Sequence, residues 1–221
     1  MSTIVVKLGG AVAGDSATTI LTLARRHRVC VVHGAGPQIS AEMTLLGIPV
    51  EFVDGRRVTS VEALEVVRRS LAAVNSEVCA ALGGLAVPLF GDEIGLWATP
   101  LPELGLVGEA VPSRPRAVAR ALAAGKIPVV APLAAGPLNV NADDAAAALA
   151  LGLGADRLYF LTDVPGLLLG GAVASSIAAS EAERLLDLGE LAGGIVPKLR
   201  AAIGAARGGV EAEIGATTVL A

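Results

Sequence analysis

The feature that most constrains this chain is a pattern written twice near its start: an apolar β-branched run, a glycine-rich loop, then helical spacing. Residues 3–8 run into Gly9-Gly10, and a helical repeat follows over 16–26. Residues 29–32 then run into His33-Gly34-Ala35-Gly36-Pro37, with Pro37 suited to the first turn of the next helix. Buried strands that alternate with helices close as a mostly parallel sheet covered on both faces. The pattern therefore predicts an α/β fold, a three-layer αβα sandwich with a mostly parallel central sheet.

The rest of the chain continues this alternation. Residues 50–59 read as short extended pieces about an Asp54-Gly55 turn, ahead of a long helix over 61–82 whose apolar stripe is Leu64, Val67, Leu71, Val74 and Val78. A strand over 85–90, a hairpin or flap over 91–112, a helix over 114–124 and a strand over 127–131 follow. An Ala-rich helix over 143–152, which Asp143 can cap, precedes a strand over 157–162, helices over 180–189 and 197–207, and two short edge strands within 210–220. No linker or repeat divides the chain, so 1–221 reads as one domain whose lobes, 1–136 and 137–221, share the sheet.

Composition narrows the function classes. Hydrophobic residues make up 53% and aromatics 2%, with mean hydropathy +0.67, so the core must be Ala, Val and Leu packed closely, and disorder is excluded. The longest uncharged run, 164–180, is broken by Pro165, Gly166, Gly170 and Gly171, and no basic leader precedes the first strand, which argues against a membrane span. A net charge of −4, spread over both halves, offers no field for nucleic acid. Cys30 and Cys79 lie in apolar stretches without metal or redox spacing, as small buried hydrophobes of a reducing cytoplasm. No metal site is expected.

The unusual polar residues sit where strands end and helices begin. Of 17 basic residues only Lys7, Lys126 and Lys198 are lysine, and Lys7 and Lys198 each stand beside a Gly-Gly pair. A compact ammonium is suited to such places where a planar fork is not. Gly9-Gly10 and Gly34-Ala35-Gly36 let backbone amides approach an anion, although neither loop has the spacing of a P-loop or dinucleotide fingerprint. Asn139-Val140-Asn141-Ala142-Asp143 places two carboxamides on one face of an extended segment before a carboxylate at a helix start. Lys198 occupies the first turn of its helix, against the macrodipole preference, a conflict that a bound anion would resolve. The turn 161–166 reads equally as a plain strand-end turn or as part of a site, His33 shows no partner that would make it a base, and His27 reads as a surface residue.

Taken together, these segments resemble the amino-acid kinase family, and within it the acetylglutamate kinase branch. The resemblance runs through VKLGGA (6–11), VHGAGPQI (32–39), FVDGRRVT (52–59), LVGE (106–109), NVNADDAA (139–146), LTDVPGLL (161–168) and GGIVPKL (193–199). It implies transfer of the ATP γ-phosphoryl group, with Mg²⁺ held mainly by the phosphates, to the side-chain carboxylate of N-acetyl-L-glutamate. By resemblance, Lys7 and Lys198 are the transition-state lysines, Asp143 orients them, and Gly10 is a phosphate-binding amide. Gly34, Ala35 and Gly36 match the acceptor loop, Arg57 the α-carboxylate clamp, and Asn139 and Asn141 its hydrogen-bonding partners. Gly9, Thr162, Asp163, Val164, Gly166, Leu168 and Gly194 match the nucleotide side, so that 1–136 would hold the acceptor and 137–221 the nucleotide.

Three departures from the family pattern carry expectations. Ala35 replaces the middle glycine of a family triple, and would be strained by about 1–2 kcal/mol if that position needs positive φ. Residues 211–221 close without the usual further helix, which implies a more open nucleotide side, and the first strand starts too early for the helix that interlinks dimers in arginine-inhibited relatives. Apolar Ala63 and Val66 widen the stripe of the long helix, which implies a homodimer. Rival readings are a carrier-linked aminoadipate or glutamate kinase of the same fold and a non-catalytic ligand sensor.

Overall fold

The strand β1 (Thr3–Leu8) is buried along its whole length, and its alternate side chains enter two different cores. That placement follows from its position near the middle of the main sheet. The computed structural model describes residues 1–9 and 13–221. The first half continues with α1 (Ala13–Ala24), β2 (Arg28–His33), α2 (Gly36–Leu45), β3 (Phe52–Val53), β4 (Arg56–Arg57), α3 (Val61–Leu82), β5 (Ala86–Phe90), α4 (Gly91–Ile94), β6 (Ala98–Pro100), β7 (Val107–Ala110), α5 (Arg116–Ala123), β8 (Ile127–Ala131) and β9 (Leu133–Ala134). The second half holds β10 (Leu138–Val140), α6 (Ala142–Leu153), β11 (Arg157–Leu161), β12 (Leu168–Leu169), β13 (Ala172–Val173), β14 (Ser176–Ala178), α7 (Ala179–Asp187), α8 (Ile195–Arg207), β15 (Glu211–Ile214) and β16 (Thr217–Leu220).

The main sheet has eight strands in the order β14-β16-β15-β11-β1-β2-β8-β5, and only the β15–β16 pair is antiparallel. One face is covered by α1, α2 and α3, whose Ile20, Met43 and Leu71 pack with Ile4, Val6 and Leu8. The other face is covered by α5 to α8, where alanines of α6 and α8 surround Val5, Leu158 and Phe160. Small side chains let these layers approach closely, which is how a core with so few rings reaches native density. The three-layer α/β expectation holds. In the main sheet the two halves of the chain meet at the β1–β11 ladder.

Several expectations change in detail. Residues 91–112 do contain a hairpin, β6 against β7, but it belongs to a second sheet ordered β6-β7-β10-β9. The final strands are not edges: β15 pairs with β11 and β16, and the three-residue β14 forms the edge beyond them. Ala63 and Val66 are buried within the single chain, so the wide stripe of α3 is consumed by its own core and does not argue for a dimer. Asp143 is not the cap of α6, because Asn141 accepts from the backbone N–H of Asp143 (2.8 Å) and Asp144 (3.4 Å). Among the described residues no helix is long and apolar enough to cross a membrane.

Candidate active site

Capping by Asn141 leaves the Asp143 carboxylate free for a different task. Asp143 stands in the first turn of α6, 4% exposed, facing the carboxyl end of β1. Its Oδ1 lies 2.8 Å from the Nζ of Lys7, a contact of charge that is off the line of a hydrogen bond, and its Oδ2 lies 3.6 Å from the Nζ of Lys198 at the start of α8. Lys198 also donates to the carbonyl of Gly194 at 3.2 Å. One buried carboxylate thus holds two ammonium groups together, and the cluster keeps a net positive charge. Burial lowers the pKa of Lys198, with Lys7 adding to the effect and Asp143 opposing it. Charges are retained in such surroundings only with partners, and an anion entering beside the two lysines would complete the set.

A second cationic group marks the other end of the site. The hairpin β3–β4 pairs Phe52 with Arg57, and the guanidinium sits 4.5 Å above the Phe52 ring. Arg57, 6% exposed, donates to the carbonyl of Gly36 (3.2 Å), to Ser40 Oγ (2.8 Å) and to Met43 Sδ (3.4 Å). These acceptors are all neutral. They orient the fork without cancelling its charge, and burial that lowers the arginine pKa does not discharge it. Asn139 on β10 donates to Thr59 Oγ1 at 3.0 Å, and Thr59 in turn donates to the carbonyl of Arg57 at 2.7 Å, which fixes the carboxamide beside Arg57.

Between the two ends lies a cavity of about 340 Å³ lined by Lys7, Gly9, Gly34, Ala35, Gly36, Arg57, Asn139, Asn141, Asp143, Thr162, Asp163 and Lys198. The sequence-predicted acceptor residues are all on this wall. Ala35 precedes α2 with φ −142° and ψ 29°, so the strain expected from replacing a glycine does not arise. Of the residues matched to the nucleotide, Gly9, Thr162 and Asp163 reach the cavity; Val164, Gly166, Leu168 and Gly194 do not line it. Gly166 has φ 150° and lies against Thr217, whose Oγ1 accepts from the Leu167 amide at 2.8 Å, so it has a turn to form in any case. Gly10 lies outside the described residues.

Sequence reasoning missed two groups. His33 does have a partner: Asn75 of α3, 1% exposed, donates to His33 Nε2 (3.0 Å) and to the carbonyl of Val129 (3.0 Å), and the ring's Nδ1 faces the carbonyl of Gly34. A lone asparagine in the apolar stripe of α3 was the available signal. Arg56 also lines the cavity, although its motif drew attention only to Arg57.

Residues 2–215 match the amino acid kinase family. The chain belongs to that family. It is 44% identical to an acetylglutamate kinase of Rubrobacter xylanophilus over 97% of this chain and 88% of that one, and 40% identical to an acetylglutamate kinase of Geobacillus kaustophilus over 92% and 85%. Among solved structures, a Streptococcus mutans protein superposes with a TM-score of 0.89 at 28% identity, over 99% of this chain and 98% of that one. A carbamate kinase of Giardia lamblia bound to AMP-PNP, at 16% identity and TM-score 0.72 over 99% and 98%, shares the fold. The amino acid kinase fold thus brings Lys7, Asp143 and Lys198 together from three separate stretches of sequence.

Proposed function

We infer that this chain is an acetylglutamate kinase, transferring the γ-phosphoryl group of ATP to the side-chain carboxylate of N-acetyl-L-glutamate in the route to arginine. The observation that carries the reading is the cavity with a guanidinium held only by neutral groups at one end and the Lys7–Asp143–Lys198 cluster at the other. An acceptor with two carboxylates and no free ammonium fits that pair of ends. Its α-carboxylate meets Arg57 in a charge-assisted contact, its amide meets Asn139 and the Gly34–Gly36 loop, and its side-chain carboxylate points at the lysines.

The carboxylate oxygen is already a nucleophile and needs no general base. It attacks the γ-phosphorus while the bond to the β-phosphate oxygen breaks and ADP leaves. The protein's work is to hold two anions in line and to stabilise the charge of the transferring group. Lys7 and Lys198 supply that charge, and Asp143 keeps the two cations in one place despite their repulsion. Mg²⁺, when bound with the phosphates, would neutralise them further. The donor set fits an ion carried by the nucleotide, since Asp143 is engaged by the lysines and, among the described residues, Asp163 is the remaining carboxylate on the wall. Among the described residues no cluster of three His, Cys, Asp or Glu could hold a metal ion.

We place the acceptor on the 1–136 side of the β1–β11 seam and the nucleotide on the 137–221 side, and we read the enzyme as a cytoplasmic homodimer. The free thiols of Cys30 and Cys79 suit a reducing compartment, and exposed Leu45 and Val61 on α2 and α3, with Leu46 just past α2, supply apolar surface for a partner copy. The test of the function is kcat/KM for N-acetylglutamate and free glutamate with wild type and Arg57→Ala. Free glutamate would bury its ammonium without an opposite charge, at about 2 kcal/mol or more, and should be used poorly. Arg57→Ala should raise the acceptor KM far more than it lowers kcat. Equal use of both acceptors, or an unchanged KM, would refute the assignment.

A further inference from the structure

The hairpin that carries Phe52 and Arg57 is too small to hold itself in place. It has two residues in each strand and a turn at Asp54 (φ 49°) and Gly55 (φ 76°), and a ladder that short is not stable in water without outside contacts. Some of those contacts come from α2, through the three donations of Arg57 to Gly36, Ser40 and Met43, and the others come from across the cavity. Asn141 Nδ2 donates to the carbonyl of Gly55 at 3.1 Å, and Pro197 of α8 stands close enough that a Cβ added at Gly55 would come within 3.6 Å of it. Arg56 Nη2 donates both to Asp144 Oδ2 (3.1 Å) and to Glu109 Oε1 (2.9 Å). Arg56 and Asp144 are each about one-fifth exposed, whereas Glu109 stands at the rim. Consecutive acids of α6 therefore face opposite ways: Asp143 to the phosphoryl-transfer lysines and Asp144 to the residue beside the acceptor clamp.

We propose that Arg56 and Asp144 are positioning residues that latch the β3–β4 hairpin over the acceptor end of the cavity, with Glu109 as an outer strut. The proposal rests on the acceptor assignment above for its kinetic readout and on geometry alone for its structural one. Asp144 does not line the cavity, so it does not touch the acceptor itself, and the cavity-lining side chain that its carboxylate holds is Arg56. Arg56 is adjacent to Arg57 in a two-residue strand, so release of the first loosens the frame that aims the second and lifts Phe52 from the wall.

Two measurements on the full-length protein test this. In steady-state assays, Asp144→Ala and Arg56→Ala should each raise the acceptor KM, by about tenfold for Arg56→Ala, while the KM for ATP and kcat stay within about twofold. The double variant should be no worse than Arg56→Ala, and Asp144→Asn, which keeps the shape of the helix turn, should lie between Asp144→Ala and wild type. Without any ligand, trypsin should cut the Arg57–Val58 bond faster in Asp144→Ala and in Asp144→Asn than in wild type, read by mass spectrometry alongside an unchanged thermal midpoint. An unchanged cleavage rate, additive losses, or an ATP KM that rises in step with that of the acceptor would overturn the latch. A wild-type enzyme inactive on N-acetylglutamate would instead refute the acceptor, while the cleavage rates would still report on the latch.

Discussion

Acidification should destabilise this protein through His33. The ring is 1% exposed and receives the Asn75 amide on Nε2, so the native site is built for a neutral imidazole. Burial lowers its pKa from 6.5 to about 4, against a small opposing effect from the Gly34 carbonyl. Between those values the unfolded chain binds the proton and the folded chain does not, so stability falls as pH falls from 6.5 toward 4. Integrated from pH 7 to pH 5, this one site removes about 2 kcal/mol. His33→Gln keeps an acceptor for Asn75 and cannot titrate. Urea unfolding of both proteins at the two pH values isolates the effect, because carboxylates that protonate in both cancel in the difference. The wild type should lose about 2 kcal/mol more than the variant. A variant that loses as much as the wild type would show that the His33–Asn75 contact does not govern the acid response.

The cluster of Lys7, Asp143 and Lys198 gives a second expectation: Lys7→Ala and Lys198→Ala should each lower kcat by about 10² or more with far-UV dichroism unchanged, as checked by ADP release, and Lys7→Arg should restore little. Because burial lowers the pKa of Lys198, the alkaline fall of kcat should begin below the ordinary lysine range, and Lys198→Arg should remove that limb in a pH–rate profile. Ala35→Gly should leave kcat within about twofold and cost about 1 kcal/mol in thermal unfolding, since Ala35 already has negative φ and glycine only adds freedom to the unfolded chain.

What could be read from the amino acids was whatever a local pattern encodes. Lys7 and Lys198 stood out because an ammonium beside paired glycines is hard to explain as surface, and both are in the cavity wall. Asn141 and Asp143 are both good helix caps, and which one caps depends on Lys7, which β1 brings to within 2.8 Å of the Asp143 carboxylate from more than a hundred residues away. The partner of His33 lies 42 residues along, on a different helix, where no spacing rule reaches. β14 was missed because three residues with one buried side chain carry almost no alternation, and only its ladder with β16 makes them a strand. The strain expected at Ala35 failed because a glycine in a related loop says nothing of the φ that this loop adopts.

The seam between β1 and β11 bears on how the chain emerges from a ribosome. Ile4 pairs on one side with Val29 and on the other with Arg157, so the first edge of β1 can be satisfied early and the second must wait for most of synthesis. Until β11 arrives, β1 presents a row of open amides flanked by Val5, Val6 and Leu8, a template on which nascent chains can pair with one another. The ladder that must wait for β11 is also the one that walls Lys7 on its second side. The strand order that encloses Lys7 in the centre of the sheet thereby makes folding non-local and slow, and leaves the half-made protein dependent on whatever shields that edge.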